Sequence, residues 1–116
     1  MHNFRKLVIW QKAMDFVTEI YMLTRKYPQH EIFGLSSQTQ RSATSIPLNI
    51  AEGSAKSSNK DFSRFLEMAI GSSYELESTI IIARNLKYID TELMNEYIYK
   101  LTELQIMILS FKNNLK

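Results

Sequence analysis

The chain contains no cysteine, only three glycines, two prolines and two histidines in 116 residues. Without cysteine there is no disulfide framework, no thiolate zinc site and no cysteine nucleophile. The absence also fits a reducing compartment. Glycine and proline are the main turn formers, so their scarcity implies few connections and therefore few, long elements. With His2 and His30 as the sole imidazoles, the options for general acid–base chemistry are thin. No Asn-Gly or Asp-Gly turn occurs and no segment holds a two-residue alternation for long, which removes the usual hairpin signals. No apolar run reaches the roughly 20 residues of a membrane span. The opening stretch MHNFRKLVIWQKAMDF has no signal-peptide core, so the expected location is cytoplasmic.

What is present is helical periodicity in a chain that is 45% hydrophobic. The length is that of one domain, expected over 1–116, and a chain of this size buries about two-thirds of its unfolded surface. Four segments read as helices, at about 7–27, 36–53, 59–87 and 91–115. In the first, Leu7, Trp10, Met14, Val17, Tyr21 and Thr24 form a stripe at three- and four-residue steps, widened by Ala13 and Ile20, and Pro28 stops it. Ile32 and Phe33 of the following linker are expected to tuck against the bundle end. Ser36 or Ser37 opens the second helix, Ser37 and Gln40 having capping-box spacing, and Gly53 is its C-terminal stop. Ser58 or Asn59 caps the third, which buries Phe62, Phe65, Leu66, Ala69, Ser73, Leu76, Ile80 and Ala83. Asp90 or Thr91 caps the fourth, a stripe of Leu93, Tyr97, Leu101, Leu104, Ile108, Phe111 and Leu115. Four helices of this length with short loops make an all-α, up-and-down antiparallel four-helix bundle.

The stretch SIPLNIAEG at 45–53 sets Pro47 inside the second helix. Leu35, Thr39, Ile46, Pro47 and Ile50 cluster around Ala43 on a helical wheel and form a buried face. That unbroken apolar face favours a kinked continuous helix over a break and restart at the proline. The opposite face holds Arg41, Ser45, Leu48 and Glu52, with a leucine among polar neighbours. This stripe is a candidate oligomer interface. Arg41 and Glu52 stand about 16 Å apart along one helix, too far to pair within the chain but able to pair between chains. Tyr74, Tyr88 and Tyr99, off the main stripes, are further interface candidates.

Sites that carry chemistry are few. No glutamate has a histidine three residues on, so the di-iron bundle motif is missing, and HEIFG at 30–34 lacks the second metal-ligating histidine of a metalloprotease. No metal, cofactor or small-molecule substrate is expected. Arg25 and His30 in RKYPQH have an Arg-x4-His spacing that resembles the nuclease motif of HEPN-type helical bundles, interrupted here by Pro28. The simpler reading has Arg25 and Lys26 complementing the first helix's C-terminal dipole. Charge is uneven: residues 1–64 carry nine Lys/Arg against five Asp/Glu, and 65–116 five against seven. Arg41, Lys56, Lys60 and Arg64 bracket the end of the second helix and the start of the third. They are the candidate RNA-binding residues, with serine hydroxyls and free helix-start amides beside them.

Taken together, LVIWQKAMDF, FGL…SIPLNIAEG, DFSRFLEMAIGSSYELES and ARNLKYID resemble the four-helix-bundle family of 23S rRNA intervening-sequence proteins, over residues 4 to about 90. That family is similar to the accessory variability proteins of diversity-generating retroelements, which form pentameric barrels and bind a reverse transcriptase and nucleic acid. The resemblance implies a homo-pentamer and, with a net charge of only +2, a less secure association with structured RNA or a ribonucleoprotein. Arg41, Pro47, Asn49, Glu52, Gly53, Phe65, Gly71, Ser72 and Glu75 match its signature and are expected to maintain fold and assembly. The leading expectation is a non-enzymatic, homo-oligomeric interaction module. Its rivals are a protein-binding adaptor, for example to a polymerase, and an RNase using Arg25 and His30.

Overall fold

The computed structural model describes residues 2–115, and among them there are four α-helices and no strand. Helix α1 spans Val8–Thr24, α2 Leu35–Ser54, α3 Asn59–Asn85 and α4 Thr91–Asn113. Each packs on its neighbours in the chain, and α4 closes back on α1, giving an antiparallel up-and-down bundle measuring 44 × 25 × 20 Å. Short 3-10 turns at Phe4–Lys6 and Gln29–Glu31 lead into α1 and α2.

Local chemistry sets the helix ends. The Ser58 hydroxyl accepts the Asp61 amide (3.1 Å) at the start of α3, and the Asp90 carboxylate accepts the Leu93 amide (2.8 Å) at the start of α4. α3 closes with Lys87 in the left-handed region (φ 65°), the Tyr88 amide reaching back to the Ala83 carbonyl at 2.9 Å. α2 begins differently from the serine cap expected. Gly34 is its N-terminal flanking residue, and the donor at Leu35 is satisfied by the carboxylate of Glu31, at 2.9 Å, reaching over from the preceding turn. A Cβ at Gly34 would stand 2.6 Å from that carboxylate oxygen, so glycine makes room for the cap.

α2 runs unbroken through Pro47, which is fully buried with Ala43, Ile46 and Ile50. Gly53 does not stop it; the helix continues to Ser54, and Gly53 is instead a point of close packing against α3. Most of the expected face of α3 enters the core, Phe62, Leu66, Ala69, Ser73, Leu76, Ile80 and Ala83, with Phe65 half-buried; of the α4 stripe Leu101, Leu104 and Ile108 are buried beside Met94 and Gln105, while Leu93, Tyr97, Phe111 and Leu115 are half-buried. α1 is turned by about 100° from its expected stripe. Ile9, Ala13, Phe16, Ile20 and Leu23 are buried, Trp10 and Val17 lie half-buried at a seam, and Met14 and Tyr21 face water. The helix is apolar around most of its circumference, so period alone does not choose its inner side. The N-terminal strap is tied down as well: the His2 amide donates to the Ser54 carbonyl (3.0 Å), and its ring packs edge-on to Phe62 and Phe111.

Candidate interaction surfaces

The antiparallel order places the α2–α3 connection, the start of α1 and the end of α4 at one end of the bundle. Lys56, Lys60 and Arg64 therefore meet Arg5 and Lys6 of the first 3-10 turn and Lys112 of α4 there. Several of these cations are already engaged. The Lys56 ammonium lies 5.0 Å from the Phe65 ring centre, Arg64 pairs with Asp61 at 3.7 Å, and Lys112 pairs with Glu67 at 3.6 Å. Lys60 is exposed and makes no ion pair with a described residue. Lys60 and Arg64 line a shallow groove with Asn59 and Ser63. Arg5, Lys6 and Lys112 are additions that no local motif announces; only the helix order brings them here.

Arg41 does not belong to this end. It sits about 22 Å up α2 from Lys56, in a groove of ≈ 660 Å³ lined also by Phe33, Gln38, Ser45 and Glu75. The outward stripe of α2 is as expected in its direction: Arg41, Leu48 and Glu52 are exposed and Ser45 half-buried. Ser45 bonds across to Ser72 of α3 (Oγ–Oγ 2.8 Å), and Asn49 donates back to the Ser45 carbonyl (2.9 Å), so polar contacts hold the two helices in register beneath the surface. Leu48 is 64% exposed. Gly71 is open: a Cβ there would meet nothing within 4 Å in the chain. Tyr74 and Tyr99 are exposed, whereas Tyr88 is not a free surface aromatic.

Tyr88 is occupied at the opposite end. Its hydroxyl donates to the Glu31 carboxylate at 2.7 Å, and His30 approaches the same hydroxyl at 3.4 Å. The Leu35 amide, and after it the Tyr88 hydroxyl, hold the Glu31 carboxyl below its usual range, while the same bond raises Tyr88. A depressed folded pKa means that this contribution to stability is complete above the ordinary carboxylate range and is lost as pH falls through it. The α2 start should therefore loosen below about pH 4. Hydrogen exchange at the Leu35 amide will show protection falling there, and Glu31→Gln should abolish that pH dependence.

Ile32 and Phe33 are not tucked in. The clamped turn directs them outward, and Phe33 is 97% exposed. Arg25 and His30 have different surroundings. Arg25 lines a groove with Tyr21, Gln29 and Gln40, while His30 faces Tyr88 and Glu31. Among the described residues no three His, Asp or Glu side chains converge as a metal site, and no helix is long and apolar enough to cross a membrane.

A bundle of this topology with these signature positions defines a class. The family model described as 23S rRNA-intervening sequence protein matches residues 5–110, so it includes most of α4 as well as the stretches quoted above. The chain belongs to that family. A solved structure to which it is similar is a protein of unknown function from the S23 ribosomal protein family of Bacteroides thetaiotaomicron. The two share 27% sequence identity at a TM-score of 0.80, over 90% of this chain and 98% of the other. Among curated proteins no match is found.

Proposed function

We propose that this chain is a non-enzymatic, homo-oligomeric helical-bundle module that associates with structured RNA, its copies meeting through the outer face of α2. The observation that carries the RNA reading is the gathering of Arg5, Lys6, Lys56, Lys60 and Arg64 at one end of the bundle, beside the N-terminus of α3. Cations spaced around a helix start contact phosphates rather than bases, so recognition rests on RNA shape and backbone charge. Cytoplasmic residence accords with that partner.

The test is binding of the purified protein to rRNA hairpins across a salt series. Reversing Lys56, Lys60 and Arg64 to Glu should lower affinity about 100-fold at low salt and reduce the salt slope by about three, one for each phosphate no longer neutralised. Equal affinity of the variant and the native protein would remove this end from the account. Absence of binding at low salt would favour the protein-adaptor reading, in which the exposed stripe of α2 meets a different protein.

A further inference from the structure

Phe33 is the most exposed large apolar side chain among the described residues, and it is held there. The Gly34 amide donates to the Glu31 carbonyl (2.9 Å), the Ile32 amide to the Gln29 carbonyl (3.1 Å), and the Glu31 side chain is fastened on both oxygens. A loose loop would fold its phenylalanine onto the bundle; this turn keeps the ring in water. Rigid aromatic side chains presented in this way are typical anchors of protein interfaces.

The ring stands at the rim of the groove between α2 and α3, and the two helices offer matching residues in matching order. Their register is fixed by Ser45 against Ser72 and by Gly53 against Phe65. Counting outward from those pairs brings Arg41 within one or two residues of the height of Glu75, Leu48 within one or two of Met68, and Phe33, just before α2, within two or three of Ile82. All six side chains are exposed. Neither Arg41 nor Glu75 makes an ion pair with a described residue, although both line the groove. Phe33, Arg41 and Leu48 thus each have a chemical complement at a nearby height on α3: apolar with apolar, cation with anion, apolar with apolar.

We infer that the occupant of this face is a second copy of the chain, with the α2 stripe of one copy laid on the α3 stripe of the next and the bundle axes parallel. This rests on the reading above that the protein self-associates. Parallel bundles keep the heights unchanged, so Arg41 of one copy meets Glu75 of its neighbour, Leu48 meets Met68, and Phe33 packs on Ile82. The open space over Gly71 lets the neighbouring helix come close at mid-height. A nucleic acid does not fit this face, because both signs of charge alternate along it with apolar residues. The arrangement also differs from one in which Arg41 pairs with Glu52 of another α2, and the two are separable by experiment.

Arg41→Glu and Glu75→Arg change exposed residues, so each variant should keep the native melting temperature. Each alone should raise the dissociation constant of the assembly about tenfold or more, by placing like charges in contact. Mixing the two variants should largely restore assembly, measured by light scattering at matched concentration, since every contact between unlike variants is repaired and a ring of five keeps only one like-charge contact. Restoration in a mixture requires the contact to lie between copies. Failure of the mixture to reassemble, in a protein whose native form does assemble, overturns the pairing while leaving self-association standing. Rescue of Arg41→Glu by Glu52→Arg instead overturns it in favour of α2 against α2. A native protein that is monomeric at all accessible concentrations removes both this inference and the reading beneath it.

Discussion

Replacing Gly53 with Ala is expected to destabilise the fold by about 3 kcal/mol, the upper part of the overpacking range, and to lower the melting temperature by about 10 °C. The sign is opposite to that of an ordinary helical glycine, where alanine is favoured by about 1 kcal/mol. The added methyl would lie 2.7 Å from the Phe65 Cβ and 2.9 Å from the Phe62 ring. The first of those atoms is fixed to the α3 backbone and has no rotamer by which to retreat. The second belongs to a fully buried ring already packed against Phe111 and His2. Relief therefore requires α2 and α3 to separate at the point where the strap from His2 also attaches. Gly71→Ala supplies the control: nothing surrounds it within the chain, so that change should stabilise the isolated bundle by up to about 1 kcal/mol. Thermal unfolding of the two variants side by side will show whether their effects have opposite sign.

Leu48→Asp should split the assembly with no loss of fold. The side chain is exposed in the single bundle, so a carboxylate there is simply hydrated. Covered by a neighbouring copy, the same carboxylate would be desolvated without a partner, a penalty of about 3 kcal/mol or more. Such a penalty raises the dissociation constant about 100-fold or more. Light scattering or analytical ultracentrifugation should report monomer mass at concentrations where the native protein assembles, with circular dichroism unchanged. An unchanged mass would exclude the outer face of α2 from the interface.

How far the molecule could be read from its sequence depended on how local each signal was. The inner positions of α3 from Phe62 to Ala83, and Leu101, Leu104 and Ile108 of α4, follow from spacing, as do the caps at Ser58 and Asp90. α1 carries too many apolar residues for period to choose a side, and its core face is settled only by what α2 and α4 leave uncovered. The α2 start escaped because its cap comes from Glu31, a side chain outside the helix that is steadied by Tyr88 from a loop 57 positions away. The same tether explains Phe33: an apolar pair after a proline suggests burial, and only the clamped turn reverses that. For the candidate surfaces, Lys56, Lys60 and Arg64 are near neighbours in the chain and read as a group. Adding Arg5, Lys6 and Lys112, and separating Arg41 from them, required the direction of every helix. Gly53 was recognised as significant for the wrong reason, since a glycine near a helix end suggests a stop as readily as a close approach.

The succession of helices also bears on how the chain reaches this state. α2, α3 and α4 each lie against the helix before them, and among the described residues the one pairing of helices far apart in the chain is α4 on α1, where Glu19 holds the Lys100 ammonium at 2.6 Å and accepts the Tyr97 hydroxyl on its carbonyl at 3.2 Å. Bundles dominated by such local pairings fold in about microseconds to milliseconds, far faster than a ribosome adds residues at about 5–20 per second. During synthesis the α2–α3 hairpin, with its close contact at Gly53, is complete in sequence before α4 has been made. The nascent chain therefore has the α2–α3 pair in place early, and the seam between α1 and α4 is the part that waits until α4 has been made.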